Sequence, residues 1–345
     1  MKNKGALIKI FLYGYIIFCM IFLHDEIGNE IRESLRLWAG VLIPSLFPYL
    51  VLAQYITSSD FMEIFYPIKK FVHKIFNISS MGANVYLCSL ISGYPSGAIC
   101  VAQLYKDKNI NKEEAERLVC FTNNAGPLFV ISVVGTNMLR STSDGLALYL
   151  IQIISAMAVG IYLGKRDGKV PFKSVFYKNK GLSLDRCTQS AINTMLVIGA
   201  FLVLASVITT IAIESFGKLP VYGKKLSPYA KAFIYCITEI SSAAKNVSLF
   251  GNTTLIFSIL SGVLSWSGLC VIMQIKSVLP DDISITKIIR CKIWQSGISF
   301  CLAIAYKSFL DFNFYFNPDK AFVVSIASSV FIFGLFIFRK MCKKN

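Results

Sequence analysis

The chain has 345 residues, 55% of them hydrophobic and only 16% charged, with a mean hydropathy of +0.60. A soluble domain carries roughly 25% charge, so this composition excludes an ordinary soluble protein and requires an all-α, polytopic membrane protein. The formal net charge of +16 gathers in loops and tails, not on a basic-aromatic surface, which fits anionic headgroups on the cytoplasmic side and excludes nucleic acid as a partner.

In chain order, a basic start precedes the apolar run 7–23, and His24-Asp25-Glu26 follows it. This run reads as a retained first span with its N-terminus in the cytoplasm, a cleaved signal being the alternative. Residues 35–56 form the second span, in which Pro44 and Pro48 predict a kink or unwinding near Ser45. Residues 61–76 are too charged to span. Their apolar side chains recur around Lys69, Lys70 and Lys74 as in a helix lying along the interface.

Residues 85–105 contain SGYPSG and predict a re-entrant hairpin or a broken span. In the linker 106–117, Asn111 and Glu114 have the spacing of a helix start. Residues 118–139 form a span carrying TNNAGP in its first half. Plain spans at 146–163 and 192–213 flank the most basic internal loop, 165–186, which is expected in the cytoplasm. Residues 229–245 are moderately apolar with Glu239 in their middle, and 255–275 are interrupted by Gly and Ser. Candidate spans at 288–310 and 321–338 precede a basic tail.

Two matches suggest a duplication. PYLVLAQYI from Pro48 compares with AFLVLASVI from Ala200, and SGAICVAQ from Ser96 with SGLCVIMQ from Ser267. The resulting division is an N-terminal helix and loop (1–34), a first membrane repeat (35–163), a basic loop (164–190), a second repeat (191–338) and a tail (339–345). Counting crossings gives the repeats opposite orientations, as in alternating-access carriers. A strict mirror would put the basic tail outside, so either 255–275 spans fully, 229–245 crosses, or the tail breaks the charge rule.

Interrupting a helix in hydrocarbon is tolerable only where protein or a water-filled cavity shields the opened backbone, and paired interruptions point to a transporter's binding site. The candidate solute contacts are therefore Ser92, Tyr94, Ser96 and Gly97 in one knot and Thr122, Asn123 and Asn124 in the other. A helix starting at Leu128 would aim amides at an anion. Trp266 and Ser267 offer a similar mixture, and Glu239, Lys245 and Asn246 supply charge and an amide inside an apolar segment. The structural alternatives are asparagines that join helices, a tryptophan anchored at the interface, and a Glu239–Lys245 pair that neutralises itself.

The ten cysteines include no CxxC pair and the two histidines no metal-ligand cluster, so neither a disulfide frame nor a metal or other cofactor is expected. No partner residues are placed to activate a serine, and no P-loop or dinucleotide fingerprint occurs, which excludes the common enzyme signatures.

GYPSGA at 93–98, EEAERL at 113–118 and FTNNAGPLF at 121–129 resemble the YlbJ (SpoVV-like) family of sporulation integral membrane proteins from endospore-forming Firmicutes, within the nucleoside-recognition or Gate superfamily. The resemblance implies a protein of the mother-cell-derived outer forespore membrane that moves dipicolinic acid, a planar pyridine dicarboxylate, towards the spore. For such a ligand, Tyr94 and Trp266 would stack, Asn123 and Asn124 would hydrogen-bond, and Lys245 would pair with a carboxylate. A coupling ion is compatible with this reading. Transport of a nucleoside or cation, and an accessory role beside another permease, are the alternatives.

Overall fold

The computed structural model describes residues 2–58, 66–166, 168, 170–171, 183–217 and 226–312. The expected last span 321–338, the tail, most of the basic loop and the start of the 61–76 segment lie outside the described residues. The described part is helical throughout, without strands. Four of its helical stretches are long and apolar enough to cross a membrane, one of them the interrupted stretch Thr254–Val278, or up to six spans if two sharply bent pairs each count as one.

The first bent pair joins α1 (Lys2–Phe22) to α2 (His24–Leu37) and the π-helical turn π1 (Trp38–Leu42) at 87°. Helix α3 (Ile43–Ser58) continues directly, so the expected span 35–56 is divided among α2, π1 and α3. The backbone is helical at Ser45, and the irregularity falls at π1 instead. Pro44 has no amide to give the Gly40 carbonyl one turn earlier, and its ring crowds that carbonyl; widening the preceding turn accommodates both.

The second bent pair is α4 (Tyr66–Phe76) and α5 (Ser80–Ser92), at 100°. Helix α4 buries Lys69, Val72 and Phe76 on one side, so Lys69 faces protein and not the polar interface. Helix α6 (Ser96–Lys106) and helix α7 (Lys112–Thr122) follow. Asn111 caps α7 as its spacing predicts, accepting the Glu114 amide at 2.8 Å. Glu114 does not turn back to close a capping box; its carboxylate accepts the Ser79 amide at 2.6 Å and so ties α7 to the α4–α5 corner.

The expected span 118–139 is two helices, α7 and the π-helical segment π2 (Leu128–Met138), separated by the break 123–127. Helices α8 (Thr142–Arg166) and α9 (Leu184–Gly217) are the plain spans. The remaining elements are α10 (Pro228–Thr238), α11 (Ile240–Ser248), α12 (Thr254–Trp266), α13 (Gly268–Val278) and α14 (Ile285–Phe312). Exposed Leu146, Leu150 and Ile154 on α8, Leu204 and Ile208 on α9, and Phe11 and Phe18 on α1 give these helices apolar outer faces suited to lipid.

Part of the packing is retained when α3, α5, α6, α7, π2 and α8 are exchanged for α9, α10, α11, α12, α13 and α14, although the close contact of α8 with π2 has no counterpart between α14 and α13. Helix α3 packs on α5 as α9 packs on α10, α6 meets α13 as α11 meets π2, and α7 touches α14 as α12 touches α8. The pairs α3–α9 and α8–α14 map onto themselves. The Pro48/Ala200 match falls on equivalent helices. The Ser96/Ser267 match does not, because it equates α6 with α13, whereas the contacts equate α6 with α11. Small residues recur after a break because close backbone approach demands them, so this second likeness reflects local chemistry and not register.

Candidate functional site at the crossing of four helix breaks

Each half contains two broken helices, and the breaks cross. In the first half, the Gly93–Pro95 break lies against residues 123–127. A Cβ on Gly93, whose φ is +69°, would sit 2.6 Å from the Gly126 nitrogen, and one on Gly97 would sit 2.7 Å from the Thr122 carbonyl oxygen. Only glycine permits both approaches. The Tyr94 amide donates to the Asn124 carbonyl at 2.9 Å, and the Ala98 amide donates to Asn123 Oδ1 at 2.8 Å. Backbone groups released by one break are thus satisfied by the other.

In the second half, the break at Glu239 lies against Ser267–Gly268. Ser267 is left-handed at φ 71°, and a Cβ on Gly268 would be 3.0 Å from the Thr238 carbonyl oxygen. Glu239 caps α11, its two carboxylate oxygens accepting the Ser241 and Ser242 amides at 2.7 and 2.6 Å. The carboxylate therefore occupies the positive end of a helix dipole. Trp266 Nε1 donates to the Ile237 carbonyl at 3.3 Å and ties this crossing together.

Between the two crossings, α3 and α9 wall a small cavity of about 30 Å³, room for one or two waters. Three of the breaks or the turns beside them reach it, through Ser92 and Tyr94, Gly126, and Glu239 and Ser241, and the helix after the fourth contributes Cys270 and Gln274. Gln274 is 2% exposed; its amide nitrogen donates weakly to Cys270 Sγ at 3.5 Å, and its Oε1 has no hydrogen-bond partner. A buried acceptor left in this state calls for a donor from water or solute.

A second, wider depression of about 380 Å³ lies between α6, the start of α9 and the end of α13, lined in part by Pro95, Gln103, Asn193 and Ser277. Tyr94 and Pro95 are consecutive and line different cavities, so this one break separates them. On the outer part of α6, the Tyr105 hydroxyl donates to Asp282 at 2.5 Å, and that bond to a carboxylate raises the phenol's pKa.

The sequence candidates separate into three groups. Ser92, Tyr94 and Glu239 reach the cavity. Gly97, Thr122, Asn123, Asn124, Trp266 and Ser267 build the crossings. Asn123 Nδ2 donates to Val119 O at 3.0 Å and Asn124 Nδ2 to Phe121 O at 2.8 Å, so these amides hold backbone and do not line the cavity. Ser96 is buried with its hydroxyl unpartnered. Lys245 and Asn246 belong elsewhere: Lys245 is 63% exposed and 3.7 Å from Glu33, and Asn246 donates to Ser242 O at 2.9 Å. The spacing that suggested a Glu239–Lys245 pair places them in different environments, because the chain enters a new helix between them.

A buried polar network escaped the sequence reading. Lys292 and Gln295 of α14 meet Asn124, and Gln295 Nε2 donates to Asn124 Oδ1 at 2.7 Å. A lysine inside an apolar helix is itself a functional signal, and Gln152, Gln274, Lys292 and Gln295 are buried polar interruptions of long apolar stretches.

Among characterised proteins, the chain is 25% identical over 232 residues to the sporulation integral membrane protein YlbJ of Bacillus subtilis (strain 168). The match covers 59% of this chain and 57% of that protein, a little over half of its length, and establishes a distant relationship. No family model and no solved structure matches. Together, the apolar helices and this relative describe an integral membrane protein distantly related to a sporulation protein.

Proposed function

We propose that the protein is a sporulation membrane transporter whose solute path runs through the junction cavity, and that its substrate is dipicolinate, moved across the outer forespore membrane. The observation that carries the transport reading is the convergence of three helix breaks and the helix that follows the fourth on one small cavity. Packing alone needs no such arrangement, and irregular backbone at membrane depth is tolerated where it lines a solute path. At about 30 Å³, the cavity has room for one or two waters, so passage of a pyridine dicarboxylate requires the two halves to move apart.

The lining supports a planar anion in two ways. Tyr94 supplies a ring face and a hydroxyl, and the Ser241 and Ser242 amides form an anion-binding helix end held by Glu239. A substrate carboxylate would take those amides as Glu239 swings away. A second reading has its own support: Glu239 and the unpartnered Gln274 Oε1 are acceptors, which favour a nucleoside's hydroxyls or a cation.

Uptake of labelled dipicolinate into proteoliposomes containing the full chain separates these readings. Saturable uptake, competed by unlabelled dipicolinate and unaffected by uridine or sodium, is expected. Uptake of labelled uridine with no uptake of dipicolinate would transfer the site to the second reading. Absence of any uptake by folded protein would leave an accessory role.

A further inference from the structure

Lys292 has no exposed surface, and its ammonium faces three neutral oxygens: the Asn123 carbonyl, Asn124 Oδ1 at 3.2 Å and Gln295 Oε1 at 3.0 Å. Three N–H bonds meet three acceptors. No carboxylate within ion-pair distance compensates the charge among the described residues, and a buried charge without a counter-charge is costly. The Asn123 carbonyl lies at the C-terminal end of α7, where a helix dipole favours a cation.

The other half contains an internal comparison. Under the exchange described above, α8 corresponds to α14 and α12 to α7. Gln152 of α8 donates to the Leu264 carbonyl at 3.4 Å, in the last turn of α12. A neutral amide therefore serves at the equivalent end, and what lysine adds is a charge that a proton can bring or remove.

We infer that Lys292 is the binding site of a coupling proton, and that its protonation tightens the 123–127 break against α14. On deprotonation, the N–H electron pair stays on nitrogen and the proton passes to water. The neutral amine then offers two hydrogens to three acceptors, and one bond holding the break is lost. Water entering the junction cavity is the proton acceptor, since Gly126 of the same break lines that cavity.

The ionisable groups around Lys292 are few. Cys120 of α7 and Cys291 of α14 act on it directly. The Glu116–Lys287 pair, at 3.4 Å, lies between the same two helices, and Arg166 at the end of α8 acts on Cys291. Asp144 of α8 is engaged with Lys307 at 2.6 Å. Helix α12 contributes no ionisable side chain. Its link to transport rests on the carrier reading, while the protonation-dependent break does not.

Two measurements on the full-length protein keep these apart. The first is amide hydrogen exchange of the peptide covering 120–129, corrected for intrinsic pH dependence. In wild type, protection falls with rising pH by about tenfold, the loss of one hydrogen bond to a charged donor. Lys292→Arg, which stays charged, remains protected across the range, and Lys292→Gln exchanges faster with no pH step. Identical profiles in wild type and Lys292→Gln would overturn the inference.

The second is dipicolinate flux in proteoliposomes. A pH gradient drives accumulation in wild type, whereas Lys292→Gln exchanges labelled for unlabelled dipicolinate without accumulating it. Gradient-driven accumulation by Lys292→Gln would overturn the coupling role. A preserved exchange step in the peptide without any flux would reject the carrier reading and leave the proton site standing.

Discussion

At Gly93, a positive φ and a glycine neighbour across the crossing make one residue answer for two constraints. Any Cβ there meets the Gly126 nitrogen at 2.6 Å while the backbone is at φ +69°. Gly93→Ala is therefore expected to lower stability by about 2 kcal/mol or more, read as a fall in the thermal midpoint of detergent-purified protein; an unchanged midpoint would contradict the contact. SGYPSG and TNNAGP were legible as breaks because Gly and Pro mark themselves. Their mutual contact was not, since nothing in spacing reveals which interruptions meet. Glu239 is the converse case, a break without Gly or Pro. The signal it does carry is a carboxylate two and three residues before the serines whose amides it caps. Asn123 and Asn124 were legible as important residues, but their amides satisfy backbone opened by the break, a role that residue type alone cannot separate from solute contact.

At the scale of elements, close packing depends on small residues where helices cross. Helix α8 approaches π2 through Gly135 and Gly145: a Cβ on Gly145 would be 2.7 Å from the Ile131 carbonyl oxygen, and one on Gly135 would be 2.4 Å from the Gly145 Cα. Gly145→Val should force the two apart and cost about 1–3 kcal/mol, measurable as reduced thermal stability with loss of folded yield. Retention of the wild-type midpoint would show that α8 can shift without penalty. The long apolar helices were readable from hydropathy, and so was the capped start of α7. The π-helical form of π1 and π2 was less readable, because such turns arise from how Pro44 and the crossings strain the backbone and leave no composition of their own.

For the whole molecule, both crossings face one cavity: each half brings one, and α3 and α9 complete the walls. The Pro48/Ala200 match falls on α3 and α9, which exchange places in this comparison. The Ser96/Ser267 match instead pairs α6 with α13, both of which begin with a small residue after a break. Cys270 provides a native reporter of this junction. It lines the cavity and is 3% exposed. The decisive measurement is its alkylation rate in proteoliposomes by a small methanethiosulfonate reagent, followed by mass spectrometry with and without dipicolinate. A solute path through the junction predicts that Cys270 reacts faster than Cys187, which is buried outside the cavity, and that dipicolinate slows it severalfold. Cys270 labelling no faster than Cys187, with no effect of dipicolinate, would contradict the account.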